Sequence, residues 1–279
     1  MKATIKSIAQ ECNLSTTAVS LVLNGKPNRI SEDSRALILE TAKRLNYSPN
    51  QIAVGLVKGK TRTIGLILSD ISNVFLAEIA KIIEEEIKKY NYTVIFGNTG
   101  DDGHRELEYI REFLGKNVDG IIYISGKADV AGMEESRHIP VVYIDRRPEN
   151  AEATIQSDNV RGGFLATEEL IRKGCRRIAI LRDFSRLSTI RQRFAGYVGA
   201  HEAYELPMDK QLILPDAIDY KEAKRTVGQA IEQGGQFDGL FCSNDLLALG
   251  ALHALLAHKM SVPGKVKLVG FDDISISGF

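Results

Sequence analysis

Along the first 24 residues, MKATIKSIAQECNLSTTAVSLVLN, apolar positions recur in two short helical registers separated by a polar turn. Within the unit running from Ile5 to Asn24 the inward set is Ile8, Cys12, Leu14, Val19 and Val22, with small Ala9 where two helices must approach closely. Thr4 is placed to cap a helix over 5–11, because its hydroxyl can accept one of the first-turn N–H groups that lack an intrahelical partner. Asn13 falls in the turn, where a left-handed backbone is needed and Asn tolerates it. Ser15 caps a second helix over 16–23. A third begins after Ser31, with Glu32 and Asp33 on its positive end, and its apolar residues Leu37, Ile38, Ala42 and Leu45 predict the stripe that closes a three-helix core. Two helices at this spacing suit a helix-turn-helix, although apolar spacing alone would equally describe a packing unit.

From Thr63 onward the pattern changes to short apolar runs alternating with amphipathic stretches. Strands are expected at 64–69, 93–98, 120–125, 141–145, 177–181, 240–243 and 267–271. Helices are expected at 77–90, 105–116, 162–173, 221–233 and 245–258, with a further helix starting around RQRFAGY (191–197). Repeated strand-helix units imply parallel sheets covered by helices on both faces, and the length of this region suits two doubly wound lobes, with a ligand cleft outside the carboxyl ends of the strands. Several expected strands end in polar groups that would face such a cleft: Ser69-Asp70, Asp145-Arg146, Ser243-Asn244-Asp245 and Asp272-Asp273.

Charge separates the two regions. Residues 1–62 hold ten Lys or Arg against four acids, a net +6, and since the whole chain is neutral the remainder carries 26 basic and 32 acidic residues, a net −6. A basic head on an acidic body makes DNA the first partner to test for the head. The three cysteines, Cys12, Cys175 and Cys242, lie far apart and read as reduced packing residues of a cytoplasmic protein. There is no signal peptide and no apolar run of membrane-spanning length, so no membrane partner is expected. Enzyme signatures fare poorly. No GxGxxG follows the first strand and no GxSxG elbow occurs, while Gly59-Lys60-Thr61 lacks the Gly that a phosphate loop requires at position 54 and precedes a strand instead of following one. His104, His138, His201, His253 and His258 are scattered, and the spacing of five between the last two does not place both on one helix face. No cofactor or metal is expected.

The runs TIKSIAQECNLSTTAVSLVLNG and YSPNQIAVGL, followed in order by DISNVFLAEI, VDGIIYIS, RQRFAGY, CSNDLLALGAL and LVGFDD, carry a resemblance to the lactose-repressor and galactose-repressor family of bacterial transcriptional regulators. The resemblance implies an α/β chain: an all-α helix-turn-helix head (1–47), a hinge helix and linker (48–62), and a periplasmic-binding-protein-like body whose doubly wound parallel sheets form an N-lobe (63–158) and a C-lobe (159–279). It further implies a homodimer that binds a pseudo-palindromic operator in double-stranded DNA, a repressor's role, and a small-molecule effector between the lobes. Thr16, Thr17 and Leu21 would face base edges in the major groove, a surface suited to thymine methyls and shape more than to guanine edges, with plain helix packing the alternative for Leu21. Thr4, Ser15, Ser20, Asn24, Arg29, Ser31 and Tyr47 would make phosphate or positioning contacts. In the hinge, Ile52, Ala53, Leu56 and Val57 share one face; Leu56 matches the family's minor-groove wedge and Ala53 lies beside it on the DNA side, while Val54 and Gly55 depart from the family's basic and small polar residues, which implies a weaker hinge. A linker without DNA contact is the alternative.

For the cleft, the resemblance implies that Phe75 stacks on the effector and that Asp145, Arg146, Arg193, Asn244 and Asp272 hydrogen-bond to it; Asp70, at the end of its expected strand, is a further effector-binding candidate. Carboxylates and guanidinium groups together can grip vicinal hydroxyls, so a sugar or sugar phosphate is the favoured effector, with purines and other metabolites open. Without the resemblance, Phe75 would equally be core, and Asp145 and Asp272 turn caps. Family members continue for roughly another fifty residues beyond LVGFDD, so an outer strand of the first lobe and a closing helix of the second are expected to be missing from this chain. Two other readings are a periplasmic-type sugar-binding receptor, which needs export and no DNA-binding head, and a regulator whose signal is a partner protein.

Overall fold

The structure, a computed structural model, describes residues 3–26, 29–48, 59–124, 139–145, 153–183 and 187–278. The chain divides into two compact units, residues 1–61 and 62–279.

In the first unit three helices form: α1 (Ile5–Cys12), α2 (Thr16–Leu23) and α3 (Glu32–Arg44). Their starts are fixed by side chains. Thr4 accepts from the Ser7 N–H in a reciprocal capping box, Ser15 from the Ala18 N–H and Ser31 from the Ser34 N–H, so each helix begins at a hydroxyl that satisfies an orphan donor. Asn13 closes α1 in the left-handed region at φ 53° and turns the chain into α2. The core is Ile8, Ala9, Cys12, Val19, Val22, Ile38 and Ala42, with Leu14, Leu45 and Tyr47 packed at its edge. Arg44 pairs with Glu11 and ties α3 to α1. One expectation fails: Leu37 is 46% exposed and stands outside the core. The buried stripe runs through 38, 42 and 45, and position 37 is rotated from it by about 100°, one residue's turn of a helix.

The second unit contains two parallel sheets. The first has the order β2-β1-β3-β4-β5, formed by β1 (Thr63–Leu68), β2 (Thr93–Asn98), β3 (Gly120–Ile124), β4 (Val141–Ile144) and β5 (Thr154–Ile155). Between them lie α4 (Val74–Lys88) and α5 (Gly103–Gly115). Leu66, Leu68, Leu76, Ala80 and Ile124 pack one face, and Ile67, Ile110, Phe113, Ile121, Tyr123 and Tyr143 the other. The second sheet has the order β6-β7-β8, formed by β6 (Ile178–Leu181), β7 (Gly239–Cys242) and β8 (Lys267–Val269). It is flanked by α6 (Asn159–Arg172) and α7 (Ser188–Ala203) on one face and by α8 (Tyr220–Glu232) and α9 (Asp245–Ala257) on the other. Covering helices on both faces explain why the strands read as continuous apolar runs. The C-terminal 3-10 turn (Ser275–Gly278) follows β8, and the Ser275 N–H donates to Glu78 Oε1 on α4 at 3.1 Å, joining the second sheet's end to the first sheet's helix layer.

Several helices start two or three residues before the sequence pattern predicts. Asn73 caps α4 and Asp158 caps α6, so the first turns begin at the cap and not at the first apolar repeat. β5 is unanticipated because two residues carry no periodicity. The expected hinge helix with Ala53 and Leu56, the cleft candidate Arg146 and the expected strand end at Ser125 lie outside the described residues.

Candidate functional site

In the head, Thr16 and Thr17 stand exposed on the first turn of α2, with Ser20 and Leu21 half-buried one turn on. Val19 and Val22 hold the opposite face of the same helix in the core. The Asn24 side chain donates to the Ser20 carbonyl at 2.8 Å and to Ser20 Oγ at 3.3 Å, so it secures the end of α2. Thr4, Ser15 and Ser31 share one property: each is the exposed N-cap of its helix. The Thr4 hydroxyl also donates to Ser7 Oγ at 3.3 Å and the Ser31 hydroxyl to Ser34 Oγ at 3.0 Å, and all three caps sit at the positive ends of helix dipoles, where phosphate is favoured. Arg29 is exposed, and Tyr47 is half-buried against the head's core.

In the body, the strand ladders end in register. Leu181 pairs with Cys242 and Phe241 with Val269, so Arg182-Asp183, Ser243-Asn244 and Gly270-Asp272 leave the second sheet at the same end. The centre of this end is Arg193 on α7, only 5% exposed. Its Nε donates to Asn159 Oδ1 at 2.9 Å, and its Nη1 donates to the Ser243 carbonyl and lies 3.1 Å from Asp272 Oδ1. The guanidinium carbon is 3.6 Å from the centroid of the Phe271 ring. A buried guanidinium is tolerable only when so fully paired.

Close helix packing aims this side chain. A Cβ at Gly163 would fall 2.1 Å from the Arg193 carbonyl oxygen, and one at Gly196 would fall 2.1 Å from the Val160 carbonyl oxygen. The α6 and α7 backbones therefore touch through two glycines, and that contact brings Asn159, itself 1% exposed, within reach of Arg193. Asn159 and Phe271 are not among the residues the sequence singles out, and Ser243 participates through its carbonyl. The Gly-Gly pair at 162–163 and the Gly of RQRFAGY were the available signal, since small residues on two neighbouring helices mark a close approach.

Asp272 sits at φ 103° and Asp145, at the end of β4, at φ 63°, both in the left-handed region. Holding a non-glycine residue there costs about 1–3 kcal/mol, which the surrounding network must offset. Burial raises the Asp272 carboxyl from the ordinary carboxylate range to about 7; Arg193 pulls it down, while Asp145 and Asp245 push it up. Asp245 is also raised by burial, against backbone N–H bonds from Phe271, Asp273 and Ile274 that favour its charge. Asn244 Oδ1 caps α9 by accepting from the Leu247 N–H at 2.8 Å, and its amide is 3.4 Å from Asp183 Oδ2. Asp70 is exposed and accepts from the Ser72 N–H at 2.9 Å and the Ser72 hydroxyl at 2.7 Å, so its carboxylate serves its own turn. Phe75 is half-buried against the core face of β1. The structure thus brings Arg193 and Asp272 into one network and leaves Asp70 outside it. Beside Asp272 opens a cavity of about 430 Å³ whose polar lining is Ser157, Asp245, Asp272, Asp273 and Ser277. Among the described residues no helix is long and apolar enough to cross a membrane.

Comparison with known proteins matches both units. Residues 4–50 match the family model described as bacterial regulatory proteins of the lacI family, and residues 61–278 match that of periplasmic binding proteins and the sugar binding domain of the LacI family. The chain is 33% identical to the ribose operon repressor of Bacillus subtilis over 276 residues, covering 99% of this chain and 83% of that one. It is 32% identical to catabolite control protein A of Priestia megaterium over 281 residues, covering 99% and 84%. In fold it follows the lac repressor dimer bound to operator and the anti-inducer ONPF, with a TM-score of 0.88 over 100% of this chain and 84% of that one, at 21% identity. Family models that match the head and the body in turn, and relatives more than 30% identical over 99% of the chain, show that the chain belongs to the LacI family of DNA-binding transcriptional regulators.

Proposed function

We propose that this chain is a cytoplasmic repressor that acts as a homodimer on a pseudo-palindromic operator and is controlled by a sugar-class effector bound where the strands end. Arg193 is the observation that carries the effector half. A guanidinium this deeply buried, gripped by Asn159, Ser243 and Asp272 and stacked on Phe271, is a preorganised donor. Its Nη2 carries no hydrogen bond among the described residues and remains for a ligand. Asp272, Asp145 and Asn244 supply acceptors and an amide around it, with Arg146 and Phe75 as further contacts. Such a set suits vicinal hydroxyls, each of which donates to a carboxylate and accepts from a guanidinium.

On the DNA side, Thr16, Thr17 and Leu21 read the major groove, and the cap hydroxyls of Thr4, Ser15 and Ser31, together with Ser20, Asn24, Arg29 and Tyr47, position the head on phosphates. Leu56 enters the minor groove from the hinge, with Ala53 as a further DNA contact. The head is tested by fluorescence anisotropy on a selected operator and a scrambled duplex across a salt series. Thr17→Ala and Leu21→Ala are each expected to lower operator preference by about 1–3 kcal/mol while leaving salt-sensitive binding to the scrambled duplex intact. Unchanged preference in both variants removes α2 as the reader.

A further inference from the structure

The second sheet carries a further cavity at its opposite end, where β6 begins. It measures about 230 Å³ and lies between the close of α7 and the 3-10 turn Lys210–Leu212, with Ile178, Pro207, Met208 and Leu212 as apolar walls. His201 lines it while only 4% exposed. The ring's Nδ1 stands 3.0 Å from the Tyr197 carbonyl oxygen, and since a carbonyl can only accept, Nδ1 carries the hydrogen. Burial pushes the imidazole below its usual range, so at neutral pH the ring is uncharged and Nε2 holds a bare lone pair. That lone pair has no hydrogen-bond partner among the described residues, and it is not sealed from the cavity. The neighbouring donors turn to other acceptors. Tyr197, whose ring centroid lies 4.3 Å from that of His201, donates its hydroxyl to the Ile178 carbonyl at 2.8 Å. Arg177 bonds Asp209 at 3.1 Å and the Gln236 carbonyl at 2.6 Å, and Arg176 bonds the Ile171 and Cys175 carbonyls at 3.3 and 2.9 Å.

We propose that this cavity is a second small-molecule site, distinct from the effector site, which takes an apolar ring bearing one O–H or N–H donor and seats that donor on His201 Nε2. A single water would satisfy the lone pair, but the cavity holds several times the roughly 30 Å³ that one water occupies, and its apolar walls give the other waters few partners. A ring that displaces them keeps the hydrogen bond and buries apolar surface. The volume falls below the roughly 300 Å³ at which pockets for drug-sized ligands begin, so it suits one small ring system. Arg193 and His201 sit on the same helix about two turns, or roughly 12 Å, apart along its axis, so the two sites are separate.

The test titrates the full chain by calorimetry with phenol and indole, each beside its methylated counterpart, anisole and N-methylindole, which keeps the ring and lacks the donor. At least one donor-bearing ring is expected to bind, at least about fivefold more tightly than its counterpart, because the buried acceptor is satisfied by the first and left unpaired by the second. Binding by neither phenol nor indole, or equal binding within both pairs, overturns the proposal. His201→Phe keeps a ring against Tyr197 and removes the acceptor, so it should abolish the preference for the donor; a preference that persists puts the acceptor elsewhere and refutes the site. Met208→Trp, on a half-buried wall, fills the cavity without touching the acceptor and should weaken every ring that binds. Undiminished binding in that variant refutes the location, whether or not the His201 variant folds.

Discussion

Arg193 commits three N–H groups to the protein before any ligand arrives, and that commitment sets the consequences of changing it. Arg193→Gln keeps a polar tip but loses the charge and the fork. Loss of a charge-assisted hydrogen bond is worth about 1.5–3 kcal/mol, so effector affinity measured by calorimetry is expected to fall by about 10- to 100-fold. Asp272 gives a second outcome at this scale. Its folded carboxyl is raised to about 7, so the folded state holds this proton more tightly than the unfolded chain does. The resulting stability is fully present below the ordinary carboxylate range and is lost as pH rises through about 7. Thermal unfolding should therefore show a decline in Tm over that window, and Asp272→Asn should flatten it. His201 acts in the opposite sense, because burial pushes its ring below the usual imidazole range and the stability it contributes is lost as pH falls. The two slopes fall in different directions and the single variants separate them.

At the scale of elements, the α6–α7 contact is the lever. Gly196→Ala places a methyl 2.1 Å from the Val160 carbonyl oxygen and 2.5 Å from the Phe164 nitrogen, both backbone atoms that cannot swing aside. The helices must separate. Overpacking of this kind costs about 1–3 kcal/mol, read as a lower urea midpoint, and it should weaken effector binding as well because it moves Arg193 away from Asn159. A variant that loses stability but keeps full effector affinity would show that the contact does not aim Arg193. The helices and strands themselves were largely legible in the sequence, because apolar period and cap residues are local signals: Thr4, Asn13, Ser15 and Ser31 act as their types predict. The early starts of α4 and α6 at Asn73 and Asp158 were legible only as caps, not as periodicity. Leu37 shows the limit of that reading, since a helix with two adjacent leucine-like positions leaves open which of them the partner helices will cover.

For the whole molecule, two compact units of opposite charge carry two ligands, and regulation requires that each ligand alter the other's affinity. Linkage makes the factor equal in both directions. Effector affinity measured with and without saturating operator, and operator affinity measured with and without saturating effector, are expected to change by the same ratio. Unequal ratios would mean that a further equilibrium, such as subunit assembly, joins the two sites in addition to a conformational one. The sequence alone determined the helix-turn-helix, the alternation of strand and helix, the division of charge between head and body and the family, since these rest on local period, composition and short runs of residues. It also marked Arg193 and Asp272 by resemblance. Only the tertiary structure decided that these two meet, that Asn159 and Phe271 hold them, and that Asp70 turns to its own loop. The meeting of Arg193 with Asn159 and Ser243 joins residues 34 and 50 positions apart, across helices that approach through Gly163 and Gly196, and no local pattern encodes such distances.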